Sequence, residues 1–119
     1  MRTDLTTQVH LRLGAARDAR RAGDVAAAWA LLEDAHVLSQ PLAVAHVRVH
    51  LAMFGVGLRT REWREVVGQA ARLVVAAPGS CTRKYPAGNT GRADVPATRP
   101  MPIRADLQEI LERTQSART

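Results

Sequence analysis

The histidines of this sequence are placed where they could bind a metal ion. His46 and His50 are four residues apart in a segment whose apolar pattern predicts a helix. Residues at this spacing lie one turn apart on the same face, so both imidazoles could reach one ion. A helical projection places both histidines and Met53 opposite Arg48, and therefore toward the interior. This pair is the first candidate for chemistry in the chain.

A second pair of candidate ligands, Glu33 and His36, precedes this helix. The two residues are three apart in another predicted helix, with His36 at the edge of its apolar stripe and Glu33 just beyond. The short turn at 39–41 predicts that the two helices are antiparallel neighbours, which brings His36 toward His46. Three histidines and a carboxylate on adjoining helices predict a site for zinc, iron or copper. Glu33 would be the fourth ligand or would orient a histidine.

Further residues could complete such a site. Met53 is typical of a helical core, and as a soft ligand it would favour copper(I). Glu62 and Glu65, with Gln69 a turn further on, could turn inward and supply what a di-iron centre would still need. Inward histidines are also typical hydrogen-bonded core residues. Structural histidines, and haem binding through one of them, therefore remain open as interpretations.

Five helices must position these residues. Apolar residues recur at helical spacing between glycine and proline signals. The predicted helices cover residues 4–22, 24–39, 41–57, 61–77 and 104–115. Gly23 ends the first helix, Asp24 caps the second, and Pro41 belongs to the first turn of the third. We predict one all-α domain over 1–119, a four- to five-helix antiparallel bundle with tetratricopeptide-like hairpins.

The fourth predicted helix has an apolar face that we expect to pack into the core. Pro78 and Gly79 are expected to end this helix. The face consists of Trp63, Val66, Val67, Ala70, Leu73 and Val74.

The segment 78–103 is irregular, with prolines, glycines and no apolar period. Its Gly-Asn-Thr-Gly sequence at 88–91 predicts a turn, because glycine permits positive φ and asparagine tolerates it. It lacks the pattern of a phosphate-binding loop. Asn89 and Thr90 could fold over the bundle and close a pocket, and Cys81 and Tyr85 could reach a site from the same segment.

Composition restricts the classes of partner. The chain has 119 residues, 46% of them hydrophobic, and a formal net charge of +6. Lys84 is the only lysine, which points to coding bias, and no aromatic stacking surface accompanies the arginines, so the charge does not favour nucleic acid. No secretory signal and no apolar run near the roughly eighteen residues of a membrane span is found. We expect a cytoplasmic protein without a membrane segment, and the lone cysteine is compatible with that.

Several short motifs together resemble a known family. Residues 22–35 alone resemble the second half of a tetratricopeptide hairpin. Over about residues 15–112 the chain resembles a small bacterial helical domain family of unknown function. The motifs are Ala-Gly-Asp at 22–24, Ala-Trp at 28–29, Leu-Glu at 32–33, Ala-His at 35–36, His-x3-His at 46–50, Gly-Asn-Thr-Gly at 88–91 and Pro-Met-Pro-Ile at 100–103. The resemblance implies a stand-alone helical protein whose histidines belong to the signature, and implies no activity.

Two functional hypotheses follow. The first is a small transition-metal-binding protein, acting in metal handling or as a small metalloenzyme, with His36, His46, His50 and Glu33 as its ligands. The second is a tetratricopeptide-like module that binds another protein and uses its histidines structurally. Whether the chain is an enzyme is open. A homodimer or a protein partner is compatible with either hypothesis.

Overall fold

The computed structural model describes residues 4–81, 86–96 and 98–116. The helices are α1 (Leu5–Arg21), α2 (Val25–Ser39), α3 (Ala43–Thr60), α4 (Trp63–Cys81) and α5 (Ala105–Ser116). No β-strand occurs in the described ranges, which confirms the predicted all-α class. None of the helices in these ranges has the length and apolar character needed to cross a bilayer. The predicted residue Tyr85 lies outside the described residues.

Two aspartates cap the helices of the first hairpin, and the sequence predicts the cap at Asp24. Asp4 caps α1 by accepting a 2.7 Å hydrogen bond from the backbone N–H of Thr7. Asp24 caps α2 by accepting a 3.0 Å bond from the N–H of Ala27. Gly23 between the two helices has a φ of +84°, which glycine adopts without steric cost. These local signals place the α1–α2 turn.

The helices pack as two hairpins with α5 laid across the first. α1 packs along α2, α3 packs along α4, and contacts between α2 and α3 join the two pairs. α5 rests on α1 and α2 through Leu107, with Ile110 and Leu111 partly buried beside it. The largest fully buried apolar side chains are Leu32, Leu38, Met53, Val9 and Val49. The antiparallel hairpins are therefore joined at α2 and α3, the two helices that carry the candidate ligands.

The predicted bounds of α3 are wrong at both ends. The helix begins at Ala43, because a 2.7 Å bond from the N–H of Leu42 to the carbonyl of Ser39 forms a turn that keeps Pro41 outside it. It continues to Thr60 and ends at Arg61, which has a φ of 58°. Gly57 lies inside α3 and does not end it. A Cβ there would lie 3.3 Å from the Cβ of Glu65, so this glycine lets α4 approach α3 closely.

The prediction for α4 is also corrected in two respects. The helix runs through Pro78 to Cys81, so Pro78 and Gly79 do not end it. The φ of a proline is compatible with a helix, although proline has no backbone N–H to donate and its ring crowds the preceding turn. The expected core face is turned outward in part: Trp63, Val67 and Val74 are 59%, 70% and 78% exposed. Among residues 63–74 of α4, for which burial is described, the buried ones are instead Glu65 and Gln69. A polar stripe of α4 therefore faces the other helices.

Candidate metal centre

Three imidazoles converge on one point between α2 and α3. The Nε2 atom of His36 is 3.1 Å from Nε2 of His46 and 3.2 Å from Nε2 of His50. The Nε2 atoms of His46 and His50 are also 3.2 Å apart. Within the described residues, these three histidines form the group that brings potential ligand atoms together. The structure thus unites the three histidines that the sequence singles out.

The two helices present these rings by simple periodicity. His46 and His50 lie on successive turns of α3, on the side opposite Arg48. His36 lies near the end of α2, just before the turn that reverses the chain into α3. His36 and His50 are buried, and His46 is partly buried. The local sequence around the α2–α3 turn therefore brings the three histidines to one place in the structure.

A backbone carbonyl determines which ring nitrogen of His36 carries the proton. Nδ1 of His36 lies 2.6 Å from the carbonyl oxygen of Asn89, which can only accept a hydrogen bond. Nδ1 of His36 must therefore carry the proton. In the neutral ring Nε2 then has a free lone pair, directed at the other two histidines.

Gln69 of α4 determines which ring nitrogen of His50 carries the proton. Nδ1 of His50 lies 2.6 Å from Oε1 of Gln69. The orientation of this amide is fixed, because its Nε2 donates to Glu65 at 3.1 Å and to the carbonyl of Gly91 at 2.7 Å. The amide oxygen therefore accepts from Nδ1 of His50. Nε2 of His50 also has a lone pair directed into the cluster.

Two lone pairs consequently face each other across 3.2 Å, between His36 and His50. A proton on Nε2 of His46 could be donated to one of them and not to both. An additional proton is disfavoured, because burial and the neighbouring histidines lower the pKa of His36 well below its ordinary value. Burial, with His50 nearby, lowers the pKa of His46 to about 4, and burial also lowers that of His50. The arrangement is one that a metal cation would stabilise.

The segment after α4 covers His36 at very short range. Gly91 has a φ of +83°, and a Cβ at this position would lie 2.5 Å from Cδ2 of His36 and 2.9 Å from its Nε2. Asn89 holds this turn by accepting from the N–H of Gly91 and by donating to the carbonyls of Pro96 and Arg99. Asn89, which is predicted to close a pocket, thus holds the turn that covers His36. Thr90 accepts a 3.4 Å bond from the N–H of Arg92 within the same turn.

Two residues that the sequence analysis did not single out attach this segment to the helices. Arg72 of α4 donates to the carbonyls of Gly91, Arg92 and Val95 at 2.5 to 2.6 Å. Gln40 donates to the carbonyl of Pro86 and accepts from the N–H of Gly88. Residues 65, 69 and 72 are spaced as one helical stripe, and this polar stripe is the sequence signal that could have identified Arg72.

A second polar cluster lies beside the histidines and is centred on Arg92. Its guanidinium lies 3.9 Å from the ring centroid of Trp29 and donates to Glu65 at 2.6 Å. The buried carboxylate of Glu65 also accepts from the N–H of Ala93. Glu62 accepts from the indole N–H of Trp29 at 2.8 Å. Glu62 also lies 3.8 Å from the guanidinium of Arg92, so both predicted additional ligands, Glu62 and Glu65, pair with the covering segment.

The remaining predicted ligands have other surroundings or partners in the structure. Met53 belongs to the hydrophobic core and is 0% exposed. Glu33 is not in the group of ligand atoms that the described residues bring together. Its pKa is raised by burial and by the carboxylates of Asp34, Asp94 and Glu65, although Arg92 opposes this. Gln69, predicted as a ligand, orients His50 instead.

These features define a small all-α protein with a buried three-histidine cluster under a glycine-containing segment. The chain belongs to the family described as "Protein of unknown function (DUF3703)", whose sequence model matches residues 3–111. The resemblance drawn from the sequence motifs is thereby confirmed. No curated protein and no solved structure matches the chain.

Proposed function

We propose that this protein binds one transition-metal ion through Nε2 of His36, His46 and His50. The observation that carries this proposal is the orientation of two Nε2 lone pairs toward each other, enforced by acceptors on the opposite ring nitrogens of His36 and His50. Metal-binding histidines commonly donate their other ring N–H to a carbonyl or carboxylate, which fixes tautomer and ring direction. The carbonyl of Asn89 and the amide of Gln69 have this role here.

The spacing of the three nitrogens suits one ion. For metal–nitrogen bonds of 2.0–2.1 Å, ligand nitrogens are about 3.3 Å apart in a tetrahedral site and about 2.9 Å apart in an octahedral one. The observed separations of 3.1 to 3.2 Å lie between these values. An ion could therefore bind with little movement of the rings. This agreement supports a site whose ligands are already oriented.

The ligand set also limits the kind of metal chemistry. Three neutral imidazoles suit zinc, iron or copper, and no thiolate or carboxylate from the described residues joins them. Three protein ligands leave at least one position for water or another small ligand, as in catalytic zinc sites. Ligands held this firmly favour a resident metal ion. The centre would serve a small metalloenzyme or a metal-handling protein.

Elemental analysis of untagged protein, expressed in metal-supplemented medium and purified without chelator, tests the proposal directly. We expect about one equivalent of metal per chain in the parent and none in a His46→Ala/His50→Ala variant. His10→Ala is a matched control, because His10 is exposed and lies outside the cluster. Parent protein that contains no zinc, iron or copper and binds none on titration would refute a metal function. The histidines would then serve the core alone.

A further inference from the structure

A groove runs between α1 and α3 on the side of α3 opposite the histidines. It has a volume of about 700 Å³, and Leu32 of α2 forms part of its floor. The residues that α3 contributes include Arg48, Gly55 and Arg59, which share one face of the helix. The groove is thus separate from the proposed metal centre.

Both walls of the groove carry positive charge. α1 contributes Arg17 and Arg20, and α3 contributes Arg48 and Arg59. None of the described residues that line the groove is acidic, and within the described ranges none of these four arginines forms an ion pair. Partial desolvation, and the nearby charge of Arg59, lower the pKa of Arg20. The groove therefore collects like charges that a bound anion would neutralise.

The charges are distributed along the groove. At one end, a side-chain nitrogen of Arg48 lies 3.1 Å from Nε2 of His10, and at the other end Arg59 and Arg20 are close enough to repel each other. From residue 10 to 20 on α1, and from 48 to 59 on α3, the rise along each helix is about 15 Å. A single small anion would contact only part of this length, whereas an extended peptide of about five residues would span it.

The floor of the groove is apolar and is kept open by glycine. Leu13, Leu32 and Val56 line it beside Gly14 and Gly55. A Cβ at Gly14 or at Gly55 would have no atom within 4 Å, so packing inside the chain does not require these glycines. Glycine inside a helix lowers its stability relative to alanine. Two such residues that face one groove make room for apolar side chains of a ligand.

We infer that this groove binds an acidic segment with apolar side chains from a partner protein. Carboxylates of the segment would pair with the arginines of both walls, and its apolar side chains would contact the floor. No Phe, Tyr or Trp side chain occurs among the described residues that line the groove, and the one ring there, that of His10, lies beside Arg48, so the groove has no row of aromatic rings on which successive nucleic-acid bases could stack. The inference does not depend on the proposed metal centre, which lies on the other side of α3.

The test uses the full-length protein and a fluorescein-labelled peptide of ten residues in which glutamate alternates with leucine. Fluorescence anisotropy would compare this peptide with a version that has glutamine for glutamate, and with a ten-nucleotide oligothymidylate. Arg48→Gln/Arg59→Gln removes charge from one wall. Gly55→Leu fills the floor and keeps the charge. Arg64→Gln/Arg99→Gln is the control for net charge, because both residues are exposed outside the groove.

We expect the parent to bind the glutamate peptide at least about tenfold more tightly than the glutamine version. Both groove variants should weaken binding about tenfold or more, with unchanged circular dichroism, and the control should match the parent. Gly14→Leu replaces Gly55→Leu if the latter does not fold. An absence of peptide binding, an equal loss in the control, or no effect of filling the floor would overturn the inference. Tighter binding of the oligonucleotide than of the peptide would also overturn it.

Discussion

The two faces of α3 differ in the partners that their polar groups have within the described chain. On the face that carries His50, Nδ1 of His50 has a fixed partner in Gln69, and Nδ1 of His36, which lies on α2 against this face, has one in the carbonyl of Asn89. Among the described residues no buried side-chain nitrogen or oxygen is left without a hydrogen bond. On the face that carries Arg48 and Arg59, the charges lie in an open groove where no carboxylate of the described residues pairs with them. The first arrangement is typical of a site for a ligand that stays. The second is typical of a surface that binds a ligand reversibly from solution.

Glycine shows the same contrast at two positions of one helix. Gly57 faces α4, and a Cβ there would lie 3.3 Å from side-chain atoms of Glu65 and Val66. Gly55 faces the groove, and a Cβ there would meet nothing within 4 Å. One glycine allows close packing of two helices, and the other leaves space unfilled. Alanine substitutions at these two glycines can therefore distinguish internal packing from a candidate binding surface.

The largest effect is expected from Gly91→Ala. The new Cβ would lie 2.5 Å from Cδ2 of His36, and the φ of +83° is unfavourable for alanine, so the covering segment must move. We expect a loss of about 3 kcal/mol in the free energy of unfolding, from strain and overpacking. Bound metal should also fall, as measured by elemental analysis.

Gly14→Ala is the control for Gly91→Ala. Its Cβ would meet nothing within 4 Å, and Gly14 lies in the middle of α1. Gly14→Ala should therefore be at least as stable as the parent, because alanine favours a helix. If Gly91→Ala also unfolds at no lower urea concentration than the parent, the close contact between Gly91 and His36 is not a constraint on the site.

A pH effect of about 2 kcal/mol is expected in the metal-free protein. Burial lowers the pKa of the three clustered histidines in the folded state, that of His46 to about 4, whereas an unfolded histidine titrates near 6.5. Because the folded pKa is the lower one, the unfolded chain binds more protons. The contribution of these histidines to the free energy of unfolding is therefore fully present above about pH 6.5 and is lost as the pH falls toward 4. Urea unfolding with chelator at pH 7.5 and pH 5 measures the decline.

The His46→Ala/His50→Ala variant should lose less stability over the same pH range, since it lacks two of the three groups. An identical decline in parent and variant would show that other groups determine the pH dependence.

A smaller effect is expected from Gln69→Met, which keeps the volume of the side chain and removes its hydrogen bonds. The ring of His50 would lose the acceptor at 2.6 Å that fixes its tautomer. Loss of such an orienting group typically weakens metal binding by a factor of about ten or more. Titration with zinc or cobalt(II), followed by calorimetry, gives the affinity.

Gln108→Met is the matched control for Gln69→Met, because Gln108 is exposed on α5 and bonds to Glu112. Equal affinities in the parent and both variants would mean that Gln69 does not orient a metal ligand.

The sequence predicts the hairpins and the three histidines because both depend on local spacing. Asp24 and Gly23 identify the α1–α2 turn, and the His46–His50 spacing identifies the inner face of α3. The groups that orient the rings were harder to predict. The carbonyl of Asn89 reaches His36 from 53 residues away in sequence, and a backbone atom leaves no signature in residue type.

The inner face of α4 was predicted wrongly for a related reason. Apolar periodicity favoured Trp63, Val67 and Val74 as core residues, yet these three are exposed. Glu65 and Gln69 are buried because each has a hydrogen-bonding partner there: Glu65 has the partly buried Arg92, and Gln69 has the buried His50. Hydrophobic patterns assign polar residues to the surface unless such partners are known. The prediction is therefore wrong for the face of α4 that packs beside the candidate site.

The smallest expected effect tests the contrast within α3 most directly. Gly55→Ala should raise the free energy of unfolding by about 0.5 to 1 kcal/mol, because alanine favours a helix and its Cβ meets no atom. Gly57→Ala, two residues further along, has the same gain in helix propensity but must push apart α3 and α4, where Val66 lies 3.3 Å from the new atom. We expect no gain or a loss for Gly57→Ala in urea unfolding. Equal stabilisation by both substitutions would show that the two faces of α3 are equally open, and would remove the packing distinction between the buried face and the groove.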